Sequence, residues 1–257
     1  MRTSFLLLAG LCALGGATAQ DTAKKEDPAP LAKPTAELKA ALERLKLPGV
    51  RINLEERCVD VDGAICIDQG TLELVACTKN SKEHESIVAI EAKARHIHTA
   101  LLLLGAKSGH PAMRKRVGEE GEERWVDIPP RGGPVDVSLV VPDDKGKPVE
   151  RPVSDFIAPT SAEDPGGEPE GAAKDEKFPT NTFLFAGSHL VAEGEGPQAY
   201  LADRSGDVIS IATFGDELLC LPEVHSHENG ALLWQANSSQ LPRVGTKVTL
   251  RLRPKTK

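Results

Sequence analysis

The sequence predicts an α+β fold: one domain on a mostly antiparallel β-sheet with a few short helices. Three observations carry this. Short runs of alternating apolar and polar residues recur along the chain, as half-buried strands require. Helical patterns are fewer and do not alternate regularly with those runs. No segment repeats at a fixed period. The chain has 257 residues, 40% of them hydrophobic and 27% charged, a water-soluble globular composition.

The elements follow in order. Residues 1–19 read as an export signal: Arg2 is the positive start, Phe5 to Leu14 the apolar stretch, and Ala17-Thr18-Ala19 the small-residue exit. The expected cut follows Ala19, which places the mature protein in the periplasm or outside the cell. Ten apolar residues are too few for a membrane anchor, since about 20 are needed to span. A lipoprotein acylated on Cys12 is disfavoured because bulky Leu11 precedes it. The longest later apolar run, Leu101 to Leu104, is flanked by charge, so the protein is not expected to span a membrane. Residues 20–34 hold Pro28, Pro30 and Pro34 among polar residues and read as a flexible tether.

The domain is expected over residues 35–257. Thr35 is an N-cap candidate, Leu38, Leu42 and Leu45 share a helical face, and Pro48-Gly49 ends the run. Strands are expected at 50–54, 58–61, 64–67, 72–76 and 87–90, with Asp62-Gly63 as a hairpin turn. A helix is expected over 94–106. The charge-dense stretch 113–124 reads as a loop or ragged hairpin tip, 135–141 as a strand and 153–157 as a helical turn. Residues 159–177 are acidic and hold Pro165, Gly166, Gly167, Pro169 and Gly171, the composition of a disordered insertion. Strands follow at 183–186, 199–202, 207–212, 232–236 and 248–252, with a short helix at 214–219. In the last strand Val248, Leu250 and Leu252 face in, and Lys247, Thr249, Arg251 and Arg253 face out.

Composition narrows function. Six Phe, two Trp and one Tyr leave few rings for a stacking platform, and the net charge is −7. Nucleic acid is therefore not an expected partner. Four cysteines remain after the signal: Cys58, Cys66, Cys77 and Cys220. No C-x-x-C occurs, so zinc-ribbon and thioredoxin signatures are missing. Cys66 and Cys77 are the most local pair and the disulfide candidates for an oxidising compartment.

Catalytic signatures are also missing. His84-Glu85 and His227-Glu228 each open an H-E-x-x-H motif, but Val88 and Ala231 stand where its second histidine belongs. No G-x-S-x-G, P-loop or dinucleotide fingerprint occurs. Asp60, Asp62 and Asp68 lack the Gly and Glu spacing of a calcium loop. Two H-x-H pairs, His96/His98 and His225/His227, are the metal-like features. The first opens a helix, where i and i+2 diverge, so the loop pair is the alternative metal candidate.

Several separated blocks carry a family resemblance: Lys82-Glu83-His84-Glu85-Ser86-Ile87-Val88-Ala89, then Ala94 to Lys107, Phe185-Ala186-Gly187-Ser188, Gly206 to Ser210, and Gly245-Thr246 before Val248 to Pro254. In this order they resemble the YdjY-like domain, from about Val50 to Pro254. The resemblance implies an exported bacterial protein of a family without a settled activity. Some members are labelled ferredoxin-like through cysteine clusters that this chain lacks, so no cluster and no catalytic residue carries over. It implies that the E-H-E-S block and the following helix form a unit, which makes Glu83, His84, Glu85, His96 and His98 the candidate binding residues.

The expected function is a secreted or periplasmic, non-catalytic envelope protein with a binding or structural role. Its partner would be an envelope component or a small ligand, and no cofactor is expected. The alternative is a metal-dependent or redox-linked accessory enzyme using the His/Glu cluster and a transition metal.

Overall fold

The computed structural model describes residues 44–119, 122–160, 177–192, 194, 196–228 and 231–255, all within one compact unit. The expected signal, the tether, residues 35–43 of the first helix and 161–176 of the acidic insertion lie outside the described residues.

The strands are β1 (Val50–Asn53), β2 (Cys58–Ile65), β3 (Leu74–Thr78), β4 (Ser86–Ile90), β5 (Met113–Val117), β6 (Arg124–Ile128), β7 (Pro134–Pro142) and β8 (Pro148–Pro152). They continue as β9 (Ile157–Pro159), β10 (Thr182–Leu184), β11 (Leu190–Val191), β12 (Ala199–Tyr200), β13 (Asp207–Ser210), β14 (Leu219–Cys220), β15 (Trp234–Ala236) and β16 (Lys247–Pro254). The helices are α1 (Ala94–Leu103) and the single turn α2 (Ala202–Ser205).

The fold is mostly β, and its sheet closes. Neighbours run β2-β16-β7-β10-β14-β13-β3-β4, and β4 returns to β2, giving an eight-strand barrel. β13–β14 and β3–β4 are parallel and the other ring pairs antiparallel, so the barrel is mixed. This corrects the α+β class to a mostly β barrel; the expected sheet of mostly antiparallel pairs with a few short helices is there, but closed. Closure comes from β2, whose one edge is shared: β1 pairs with Cys58–Val61 and β4 with Gly63–Ile65. A closed ring removes sheet edges and leaves only short flanking strands outside it.

Asp62-Gly63 is accordingly no hairpin turn, because β2 runs straight through it. Gly63 is needed for close approach: a Cβ there would lie 2.6 Å from Val88 Cγ1 inside the barrel. Residues 214–219 form no helix either. The Glu217 carboxylate accepts the Gly215 and Asp216 N–H groups at 2.6 and 2.8 Å, and Leu218 N–H donates to the Asp207 carbonyl, so the backbone enters β14 extended.

The interior follows strand alternation. Val59, Val61, Ile65, Val135, Val137, Leu139, Leu250 and Leu252 are buried, each burial stabilising by roughly 1.5–3 kcal/mol. Phe183, Phe185 and Trp234 are buried core rings as well. The outer face of β16 carries charge: Arg251 reaches Asp60 at 2.7 Å, Glu150 at 2.9 Å and Glu56 at 3.2 Å. These bridges tie β16 to β2 and β8 across the outer wall. Helix α1 buries Ala94, Ile97, Ala100 and Leu101 on one face. The charge-dense stretch is the β5–β6 hairpin, with Arg114 paired to Asp127 at 3.0 Å.

Candidate functional site

The turn between β3 and β4, residues 79–85, organises the most chemically loaded region. Asn80 adopts φ 65°, a left-handed conformation that Asn tolerates. Its N–H donates to Glu83 Oε1 at 2.9 Å, and Ser86 Oγ closes the turn on the Lys82 carbonyl at 2.7 Å. The turn docks on Gly206, which follows α2 at φ 89°: Thr78 N–H donates to its carbonyl, and a Cβ there would meet Ser81 Oγ at 2.1 Å.

The Glu83–Glu85 turn is 3-10, so its three side chains diverge. Glu83 faces a surface groove. His84 is 78% exposed, its Nε2 3.5 Å from Glu85 Oε2. Glu85 hydrogen-bonds the buried Glu73, whose pKa is pushed up by burial first and then by the Glu85 charge.

Lys82 points inward. Its Nζ lies 2.9 Å from Asp207 Oδ1 and 3.3 Å from the Phe214 ring centroid, a cation–π contact. Phe214 in turn stacks on His227 at 5.7 Å. Asp207 is 1% exposed, and burial pushes its pKa up to about 7. Lys82 opposes that shift, while the hydrogen-bonded Asp216 adds to it. Glu217 is fully buried, and burial raises its pKa too. Among the described residues its Oε1 and the buried Ser210 Oγ lack hydrogen-bond partners. The result is a buried acidic pair, Asp207 and Glu217, with one lysine against Asp207, which can keep a proton near neutral pH.

On the other side of the turn a groove of about 900 Å³ crosses the outer wall of the barrel. The register aligns Ala89, Ala64 and Lys247 in one row and Asp62, Thr249 and Val140 in the next. Small side chains make the floor shallow. Lys79, paired with Glu91 at 3.1 Å, Glu83, Lys247 and Asp62 add charge to its lining.

Cys66 also lines the groove. The expected Cys66–Cys77 disulfide is absent: all four described cysteines are free thiols. The reason is strand order. Cys66 N–H donates to the Ile87 carbonyl on one side of β4, and Cys77 registers with Ala89 on the other. Two strand spacings separate their backbones by about 9–10 Å, beyond the roughly 7 Å a disulfide tolerates. The Cys66 thiol donates instead to the Ser86 carbonyl, at 2.9 Å.

The remaining candidates scatter. His98 Nδ1 lies 2.7 Å from the Tyr200 hydroxyl, which donates to the Gly187 carbonyl at 2.8 Å, and burial lowers the His98 pKa. His96 Nδ1 is buried without a hydrogen-bond partner. His225 pairs with Thr213, its N–H donating to Oγ1 at 3.0 Å. Among the described residues no group of three or more His, Cys, Asp or Glu is placed to hold a metal ion. The structure therefore brings Glu85 and His227 into one neighbourhood, around Glu73, and gives His98 a separate polar chain. Sequence reading missed Lys82, Asp207, Asp216 and Glu217 as a site; Lys82 and Asp207 do sit inside two of the resemblance blocks.

Fold and site define a class: a closed mixed β-barrel with a groove on its outer wall and buried carboxyls beneath a neighbouring turn. Within that class the chain belongs to the YdjY domain family, whose profile matches residues 50–253. No curated protein and no solved structure matches it.

Proposed function

We propose that this chain is an exported, non-catalytic envelope protein that binds a small ligand in the groove on the barrel's outer wall. The groove carries this reading. Its floor of Ala64 and Ala89 leaves room that larger outward side chains would fill, and charges of both signs line it. Such a surface suits a ligand with an apolar body and charged groups at its ends. Rigid strands hold the floor, so the site is pre-formed and little ordering cost accompanies binding.

The test uses anilinonaphthalene sulfonate, an apolar probe with an anionic end. Saturable fluorescence enhancement with folded protein, lost in both Ala64→Trp and Ala89→Trp, is the expected result. Circular dichroism and melting temperature should match wild type in both variants. No saturable enhancement, or enhancement unchanged by filling the floor, overturns the reading.

A further inference from the structure

We propose that the β5–β6 hairpin is a dimerisation arm: the free edge of β6 pairs antiparallel with β6 of a second copy of this chain, about a twofold axis through Val126. The hairpin stands apart from the barrel. It forms a two-stranded sheet of its own, and β5 and β6 pack chiefly on each other. A two-stranded ribbon without further cover is only marginally stable in water. Its open edge presents a row of N–H and C=O groups that a further strand can pair. Two copies joined at β6 make one four-stranded antiparallel sheet and close one edge of each hairpin.

The side chains mark this strand as a contact. Trp125 is 61% exposed. The chain is poor in rings, and it buries Phe156, Phe178, Phe183, Phe185, Tyr200 and Trp234. Leaving its largest ring type outward on an unpaired strand fits an interface anchor, the role in which Trp is most enriched.

Register and charge select the edge and the partner. Opposite residues share a face, so Lys115 and Val126 lie on one side of the hairpin, and Arg116 and Trp125 on the other. β5 is unsuited to self-pairing. A twofold axis through its centre sets Lys115 against its own copy and Arg114 against Arg116. On β6 an axis through Trp125 sets Glu123 against Asp127, and an axis through Asp127 sets that carboxylate against itself. The axis through Val126 avoids both. It sets Trp125 against Asp127 of the second copy and Arg124 against Ile128 of the second copy. Each indole then lies beside the other copy's Arg114–Asp127 ion pair, which closes at 3.0 Å. On the opposite face the two Val126 side chains meet on the axis. A twofold contact requires one patch to match itself, and this strand does so, which favours a second copy over an unrelated protein.

The experiment is sedimentation velocity of the exported chain over a concentration series reaching hundreds of micromolar. Wild type should pass from monomer to dimer. Trp125→Ala and Val126→Lys should each weaken association at least tenfold. Val149→Lys, on the exposed strand β8, should leave it unchanged. Oxidative cross-linking tests the register in a Cys66→Ser background, where the remaining described cysteines are buried. Val126→Cys, a small change that keeps the test open if Val126→Lys misfolds, should give a covalent dimer, because the two copies of residue 126 face each other at about 5 Å. Arg124→Cys should not, because its two copies lie about 13 Å apart along the strands. A chain that stays monomeric throughout, a dimer that survives both Trp125→Ala and Val126→Lys, or cross-linking at position 124 in place of 126 each overturns the proposal. So does binding of the monomer to anionic phospholipid vesicles without dimerisation, which would assign Trp125 to a lipid surface.

Discussion

Asp207 should make this protein less stable as pH rises from about 4 to about 8. Its carboxyl titrates at about 7 in the fold, against about 3.9 in an unfolded chain. A raised folded pKa means that the native state holds the proton more tightly. Its stability contribution is complete below about pH 4 and is lost as pH climbs through about 7. The gap of about three pH units corresponds to about 4 kcal/mol at 1.36 kcal/mol per unit. Because the Lys82 ammonium opposes the shift and lends the ionised form some of its own stability, this is a ceiling. Asp207→Asn keeps the shape and an oxygen acceptor for Lys82 while removing the titration. Urea unfolding of both proteins should then show a stability difference, variant minus wild type, that grows with pH by up to about 4 kcal/mol across the window. His98, whose pKa burial lowers, acts in the opposite sense, but it is present in both proteins and cancels. Parallel stability curves would refute the assignment of a buried, proton-holding carboxyl to Asp207.

Two further outcomes are expected. Gly63→Ala should cost roughly 1–3 kcal/mol in chemical denaturation, because the new Cβ would stand 2.6 Å from Val88 Cγ1 and 3.1 Å from the Ala89 carbonyl oxygen; an unchanged midpoint would count against a tightly filled barrel at β2. N-terminal sequencing of protein recovered from an exporting host should begin at Gln20, and a mature chain retaining residues 1–19 would refute the proposed export.

Legibility depended on how local the physics was. The inward Val248, Leu250 and Leu252 of β16 and the outward Arg251 and Arg253 follow from alternation alone, and the structure buries and exposes them as the pattern requires. Asp62-Gly63 misled because Gly has two uses. It permits positive φ in a turn, and it also permits close packing; only the neighbouring Val88 decides between them. Barrel closure was invisible for a related reason. It rests on β14, two residues long, and on parallel pairings whose partners are set by tertiary packing. The site divided in the same way. The E-H-E-S block was legible as a source of candidate residues, but Lys82 and Asp207 are 125 residues apart and form an ion pair only in the folded chain. Phe214, expected to open a short helix, is instead half-buried under the Lys82 ammonium.

That ion pair is hard to explain by stability alone. Burying a carboxylate and an ammonium costs desolvation that their attraction roughly repays, so well-packed apolar residues would serve as well or better. What the pair does accomplish is positional. Lys82 sits in the middle of the 79–85 turn, and its side chain is drawn inward onto Asp207 and Phe214. On the outer side Glu83 and Lys79 line the groove. An ion pair at 2.9 Å with its carboxylate buried holds the turn more firmly than Ser86 Oγ and Gly206 would alone. The buried charge is therefore best understood as the peg that sets this turn, with its groove-lining Lys79 and Glu83, against the barrel wall.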